Sequence, residues 1–81
     1  MIVKFKYLGL QNDKIENKVE KVEIENNADI QKLIINIKKI YELSDEFFKG
    51  CSFMINNRRA DLDAKLEDGD YVLIMKALGG G

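Results

Sequence analysis

From the first residue, Met1, Val3, Phe5 and Tyr7 alternate with Ile2, Lys4 and Lys6. A period of two built from β-branched and aromatic residues predicts a strand. The polar stretch LQNDKIENK, with its two Asn, reads as the loop of a hairpin. VEKVEIE then sets Val22 and Ile24 between charged residues, a second strand. The period next changes to a helical one. Ile30, Leu33, Ile34, Ile37 and Tyr41 share one face, with Lys32, Asn36 and Lys38 on the other. Asp29, just before this run, is placed to cap it by accepting from free backbone N–H groups. Ser44 opens a further short turn, DEFFK, which Gly50 stops.

Alternation returns at Cys51, Phe53 and Ile55, a third strand. NNRR predicts a turn into a short strand near Arg58 and Ala60, and LEDGD a turn in which Gly69 takes positive φ. YVLIMK is the last strand. The order is strand, strand, helix, strand, short strand, strand. Two hairpins flanking one helix predict a two-layer α+β fold with one mixed sheet. In the last strand Val72 and Ile74 face the helix, while Tyr71, Leu73 and Met75 point the other way. One helix covers one sheet face. Apolar residues on the uncovered face imply either burial on both faces or a docking surface, and in so short a chain docking is favoured.

The 81 residues suffice for one small domain, residues 1–81, with one core. A net charge of −1 with interleaved signs supplies no global field for nucleic acid. The chain has no His, which removes the usual general base near neutral pH and the commonest metal ligand. The lone cysteine, Cys51, excludes an internal disulfide and fits a reducing compartment. The alternating start is unlike a signal peptide, and LIINI is too short to span a bilayer. The expectation is a cytoplasmic protein, monomeric when free, with no membrane and no nucleic-acid partner.

The chain closes on KALGGG. Glycine loses the most backbone entropy on ordering and has no side chain to pack. A terminal run after a strand therefore suggests a tail shaped to enter a narrow site. FMINNRRADLDAKLEDGDYVLIMKALGGG resembles the C-terminal third of the small ubiquitin-like sulfur carriers, the small subunit of molybdopterin synthase and the thiamine-pathway carrier. The shared features are the IN ending the third strand, the L-x-D-G-D turn, and a strand running into Gly-Gly. The MIVKFKYLG strand and the DIQKL helix start also fit, so the resemblance spans the chain. It implies the β-grasp fold.

The resemblance further implies that Gly80 and Gly81 are the terminal pair and that the Gly81 carboxylate becomes the thiocarboxylate. Leu66, Asp68, Gly69 and Asp70 match the turn, a structural role. Lys76 and Ala77 stand where molybdopterin-type carriers usually have Pro-Pro, and Gly79 where Ala, Ser or Thr is usual. Chain length favours the molybdopterin type over the shorter thiamine type, and the missing prolines point away from it. The implied partners are an E1-like adenylating enzyme, which uses ATP, and the large subunit of molybdopterin synthase or an equivalent sulfur acceptor. No cofactor is expected to be bound.

The carrier chemistry has a physical logic. A C-terminal carboxylate, with a pKa of about 3.5, is ionised at neutral pH. It attacks the α-phosphorus of ATP and expels pyrophosphate, giving an acyl-adenylate. A sulfur donor displaces AMP and leaves a thiocarboxylate. The site must exclude water, which would hydrolyse the adenylate. Residues 78–81, if extended, reach roughly 13 Å. Leu78 and Gly79 would line the partner's channel, with Tyr71, Leu73 and Met75 docking outside it. The reading is a non-catalytic sulfur carrier, favouring molybdopterin synthesis. A carrier for thiamine or another product, a ubiquitin-like modifier joined through Gly81, and a plain interaction domain are the alternatives.

Other candidates carry less. Cys51 on its alternating strand reads as a core cysteine rather than a persulfide carrier, since no base is visible to activate it. Arg58 and Arg59 read as solvated turn residues, with a phosphate or acidic partner as the alternative. Asp61, Asp63, Glu67, Asp68 and Asp70 do not match EF-hand spacing, and no metal is expected.

Overall fold

A computed structural model describes residues 1–9 and 14–76. The elements are β1 (Ile2–Leu8), β2 (Val19–Glu23), α1 (Ile30–Tyr41), β3 (Cys51–Ile55), β4 (Arg58–Ala60) and β5 (Tyr71–Lys76). They form one five-stranded sheet in the order β2-β1-β5-β3-β4, with α1 packed on one face. β1 runs antiparallel to β2 and parallel to β5, so the first and last strands lie at the centre of the sheet. This is the β-grasp arrangement.

Period two in the strands and period 3.6 in the helix meet in the core. Val3, Phe5 and Tyr7 of β1, and Val72 and Ile74 of β5, are buried against Ile30, Leu33, Ile34 and Ile37 of α1. Tyr41, at the helix end, is half-buried and meets Phe5 edge-on at 6.2 Å. The start of α1 is well capped. Lys32 N–H donates to Asp29 Oδ1 at 2.8 Å, the expected cap. Ile30 and Gln31 N–H groups donate to the carbonyls of Ala64 and Leu62. Three of the four N–H groups a helix start leaves free thus find acceptors, two of them from a distant loop.

Two details, the end of β2 and the place of Ile15, differ from the sequence expectation. β2 ends at Glu23, yet Ile24 stays paired: its N–H donates to the Met1 carbonyl, and the Met1 ammonium donates to Ile24 O, each at 2.8 Å. Ile15, in the polar hairpin loop, is buried, a core residue that periodicity does not reveal. Residues 45–50 form successive turns, with Phe47 N–H donating to Ser44 O, and Gly50 ends them at φ 76°. The NN turn is tight because Asn56 and Asn57 both take positive φ, at 50° and 69°. That geometry suits a two-residue hairpin and tolerates Asn. Among the described residues no helix is long and apolar enough to cross a membrane.

Leu33 and Ile37 have 0% exposure, so truncation leaves a cavity rather than a solvated gap. Leu33→Ala and Ile37→Ala should each cost about 2–5 kcal/mol in urea denaturation. A loss under about 0.5 kcal/mol would contradict the packing.

Candidate functional site

β5 leads into the tail, and five hydrogen bonds set its position. Asp68 Oδ1 accepts from Ile2 N–H at 2.7 Å, and Gly69 N–H donates to Ile2 O at 2.8 Å with Gly69 at φ 87°. Asp70 accepts from Glu67 N–H at 2.8 Å and from Asn56 Nδ2 at 2.9 Å. Asn56 Oδ1 accepts from Tyr71 N–H at 2.9 Å. The IN and L-x-D-G-D motifs are therefore one device. They tie the start of β5 to β1 on one side and to the β3–β4 turn on the other. Leu66, the first residue of the motif, is buried and anchors the loop in the core.

With that register β5 alternates as expected. Val72 and Ile74 are at 0% exposure beneath α1. Tyr71, Leu73 and Met75 lie half-buried on the opposite face. Their neighbours on that face follow from the strand pairing: Lys4, Lys6 and Leu8 from β1, Ser52 and Met54 from β3. The expected docking residues Tyr71, Leu73 and Met75 are thus brought together. Leu78, Gly79, Gly80 and Gly81, which complete the expected site, lie outside the described residues.

Where β5 ends, Lys76 turns to the helix side. Its Nζ donates to the Phe47 carbonyl at 2.9 Å and sits 5.3 Å from the centre of the Phe47 ring. Phe47 in turn packs on Tyr7 at 5.2 Å between ring centres. Gly9 makes this closure possible. A Cβ there would collide with the Tyr7 hydroxyl and come within 3.1 Å of Lys76 Cβ. The anchor at the root of the tail is a feature the sequence analysis missed. The one available signal was Lys76 itself, a long cation where the resemblance leads one to expect proline.

Cys51 sits directly across from Lys76 in the β3–β5 ladder. It is half-buried at the rim of the core, rather than within it as expected, because it opens onto a groove between α1 and the β3–β4 edge. That groove, about 590 Å³, is lined in part by Ile34, Phe48, Phe53 and Leu62. The Lys38 and Asp45 charges beside it are paired at 3.4 Å. Burial pushes the Cys51 thiol up from its ordinary range, and the Lys76 ammonium only partly offsets this. Burial likewise raises the Tyr7 phenol. Among the described residues no cluster of three or more His, Cys, Asp or Glu could hold a metal.

The five-stranded mixed sheet on one helix and the central parallel β1–β5 pair define a β-grasp, ubiquitin-like fold class. The ThiS family model matches residues 5–81, and the chain belongs to this family of ubiquitin-like sulfur carriers. No curated protein gave a match. Among solved structures, the small archaeal modifier protein 1 of Haloferax volcanii superposes with a TM-score of 0.81 at 12% identity, covering 100% of both chains. Molybdopterin converting factor subunit 1 from Pyrococcus furiosus gives 0.74 at 24% identity, covering 95% of this chain and 98% of that one. The complex of subunits 1 and 2 of the molybdopterin-converting factor from Helicobacter pylori gives 0.67 at 23%, covering 100% of both chains. At these identities the likeness is one of fold.

The raised thiol predicts a pH dependence. Between the unfolded value, about 8.5, and the higher folded one, only the unfolded chain has lost the proton. The thiol's contribution to stability is therefore complete below the unfolded value and lost as pH rises through the folded one. Iodoacetamide should alkylate folded Cys51 more slowly than the unfolded chain at pH 7.4, with the rate midpoint shifted upward. Lys76→Met should shift it further. A midpoint at or below that of a free thiol would show instead an activated cysteine.

Proposed function

We propose that this chain is a sulfur carrier. In this reading the Gly81 carboxylate is adenylated by an E1-like enzyme and converted to a thiocarboxylate, and the sulfur is passed to an acceptor. The family match, which runs through Gly81, carries the reading. The chain supplies delivery and a reactive group, while the catalytic side chains belong to its partners. Within that reading we take molybdopterin synthesis as the pathway, supported by the chain length and by a likeness of fold to two molybdopterin-converting structures. The acceptor would be a large subunit like the one paired with subunit 1 in the Helicobacter pylori complex. The likeness to an archaeal modifier protein favours one second reading, conjugation through Gly81 to target lysines. Intact mass from native cells separates the two. Exchange of one terminal oxygen for sulfur marks a carrier, and higher-mass conjugates mark a modifier.

Two substitutions test the carrier reading. Deleting Gly81, or adding one residue after it, should abolish ATP–pyrophosphate exchange with the activating enzyme. Stability should move by less than about 0.5 kcal/mol, since the change lies at a terminus. Full exchange by the shortened chain would overturn the assignment of Gly81.

Met75 lies nearest the exit on the open face, between Leu8 and Ser52. Its flexible thioether suits a surface that meets two partners in turn. Met75→Asp should keep the fold and weaken binding to both activating enzyme and acceptor by about tenfold or more, because a carboxylate would replace an apolar side chain in the buried contact. Calorimetry on the folded variant measures this, and unchanged affinity for both would place docking elsewhere.

A further inference from the structure

Lys76 ends β5. The register stops at Leu8 opposite Met75 on β1 and at Cys51 opposite Lys76 on β3. Strand ends ordinarily fray, and holding a lysine side chain in one geometry costs more rotamer entropy than for most residues. Here the side chain is held all the same. Its Nζ donates to the Phe47 carbonyl at 2.9 Å and lies over the Phe47 ring. Among the described residues no carboxylate pairs with it. Lys76 lies beyond Val72 and Ile74, the buried residues of β5, so the contact serves the end of the strand rather than the core.

The acceptor is as firmly placed as the donor. Phe47 packs on buried Tyr7 at 5.2 Å and meets buried Phe48 edge-on at 5.0 Å between ring centres. The turn that carries its carbonyl is closed by Phe47 N–H to Ser44 O and Lys49 N–H to Glu46 O, each at 3.1 Å. Cys51 N–H donates to Phe48 O, also at 3.1 Å, and ties that turn to the start of β3. On the β1 side Gly9 leaves the room. A side chain there would strike the Tyr7 ring and crowd Lys76 Cβ. The end of β1, the turn before β3 and β3 itself thus converge on one lysine.

Resting on the carrier reading, we infer that Lys76 is a positioning residue for adenylation: clamped on Phe47, it fixes the direction in which the chain leaves the sheet and so where Gly81 is presented. Gly81 is five residues past Lys76. Five extended residues span roughly 16 Å, and over that length a swing of about 20° at the root displaces the end by roughly 5 Å. A nucleophile and its target react at a separation of about 3–3.5 Å, so such a displacement is enough to miss. Lys76 touches no reacting atom and acts through the backbone it anchors. Docking of the body and presentation of the carboxylate then separate, the first appearing in KM and the second in kcat.

ATP–pyrophosphate exchange, with the full chain titrated against the E1-like adenylating enzyme of the same cell, gives both constants. Lys76→Met keeps the aliphatic stem and loses the donor. It should lower kcat about tenfold and leave KM within about twofold. Lys76→Arg still donates and still stacks on the ring, and should bring kcat back to within about threefold of the wild-type chain. Phe47→Leu leaves the Lys76 charge in place and removes the ring, and should lower kcat about threefold. The double variant should be no slower than Lys76→Met, because both changes break one contact. Lys39→Met, which removes an exposed charge from α1, should change neither constant. Amide hydrogen exchange reads the root without the enzyme. In Lys76→Met the amides of Met75 and residue 76 should exchange about fivefold faster, with that of Leu33 unchanged. An unmoved rate there, an unchanged kcat, or a loss confined to KM would overturn the proposal. Losses that multiply in the double variant would overturn it too, since Lys76 would then meet the enzyme directly. No exchange by the wild-type chain would remove the carrier reading and this inference with it. Wild-type exchange matched by Lys76→Met would remove this inference alone.

Discussion

β5 lies between β1 and β3, and its register against both neighbours decides which of its side chains meet the helix. A slip of one residue would turn Val72 and Ile74 outward and bring Leu73 and Met75 under α1. The parallel β1–β5 pairing is formed by segments more than sixty residues apart in the chain. No hairpin turn sets it, so side chains must. Asp68 and Gly69 hold Ile2, and Asp70 with Asn56 holds Tyr71. Core, open face and tail exit all follow from these contacts.

One helix on one sheet makes the two faces unequal. The covered face has a close-packed apolar interior, and among the described residues no buried side-chain polar atom lacks a partner. Among the described residues no layer covers the other face. Apolar side chains there gain little for the fold and remain available to a partner. In the carrier reading, one face of the sheet can thus serve as an interface without opening the core.

The root of the tail is held differently from its start. At Lys76 the ladder ends, and a single long side chain reaches across to the Phe47 carbonyl and ring. This contact uses the aliphatic stem as well as the charge. Strand alternation already puts Lys76 on the helix side with Val72 and Ile74. The same ammonium moderates the Cys51 thiol without bringing it into the reactive range.

Local periodicity determined the elements. The alternation of Met1 to Tyr7, the 3.6-residue spacing from Ile30 to Tyr41, the Asp29 cap and the Gly69 turn are short-range patterns, and each appears in the structure where the residues place it. The outward set Tyr71, Leu73 and Met75 was legible for the same reason. Ile15 in the core, the Lys76–Phe47 anchor and the half-open setting of Cys51 were not. Each depends on a neighbour supplied by pairing between distant segments. Alternation tells which residues of a strand share a face, but not which strand lies beside it or in what register. That information exists only once the sheet has formed, because only then do Tyr7, Gly9, Phe47 and Lys76 come together.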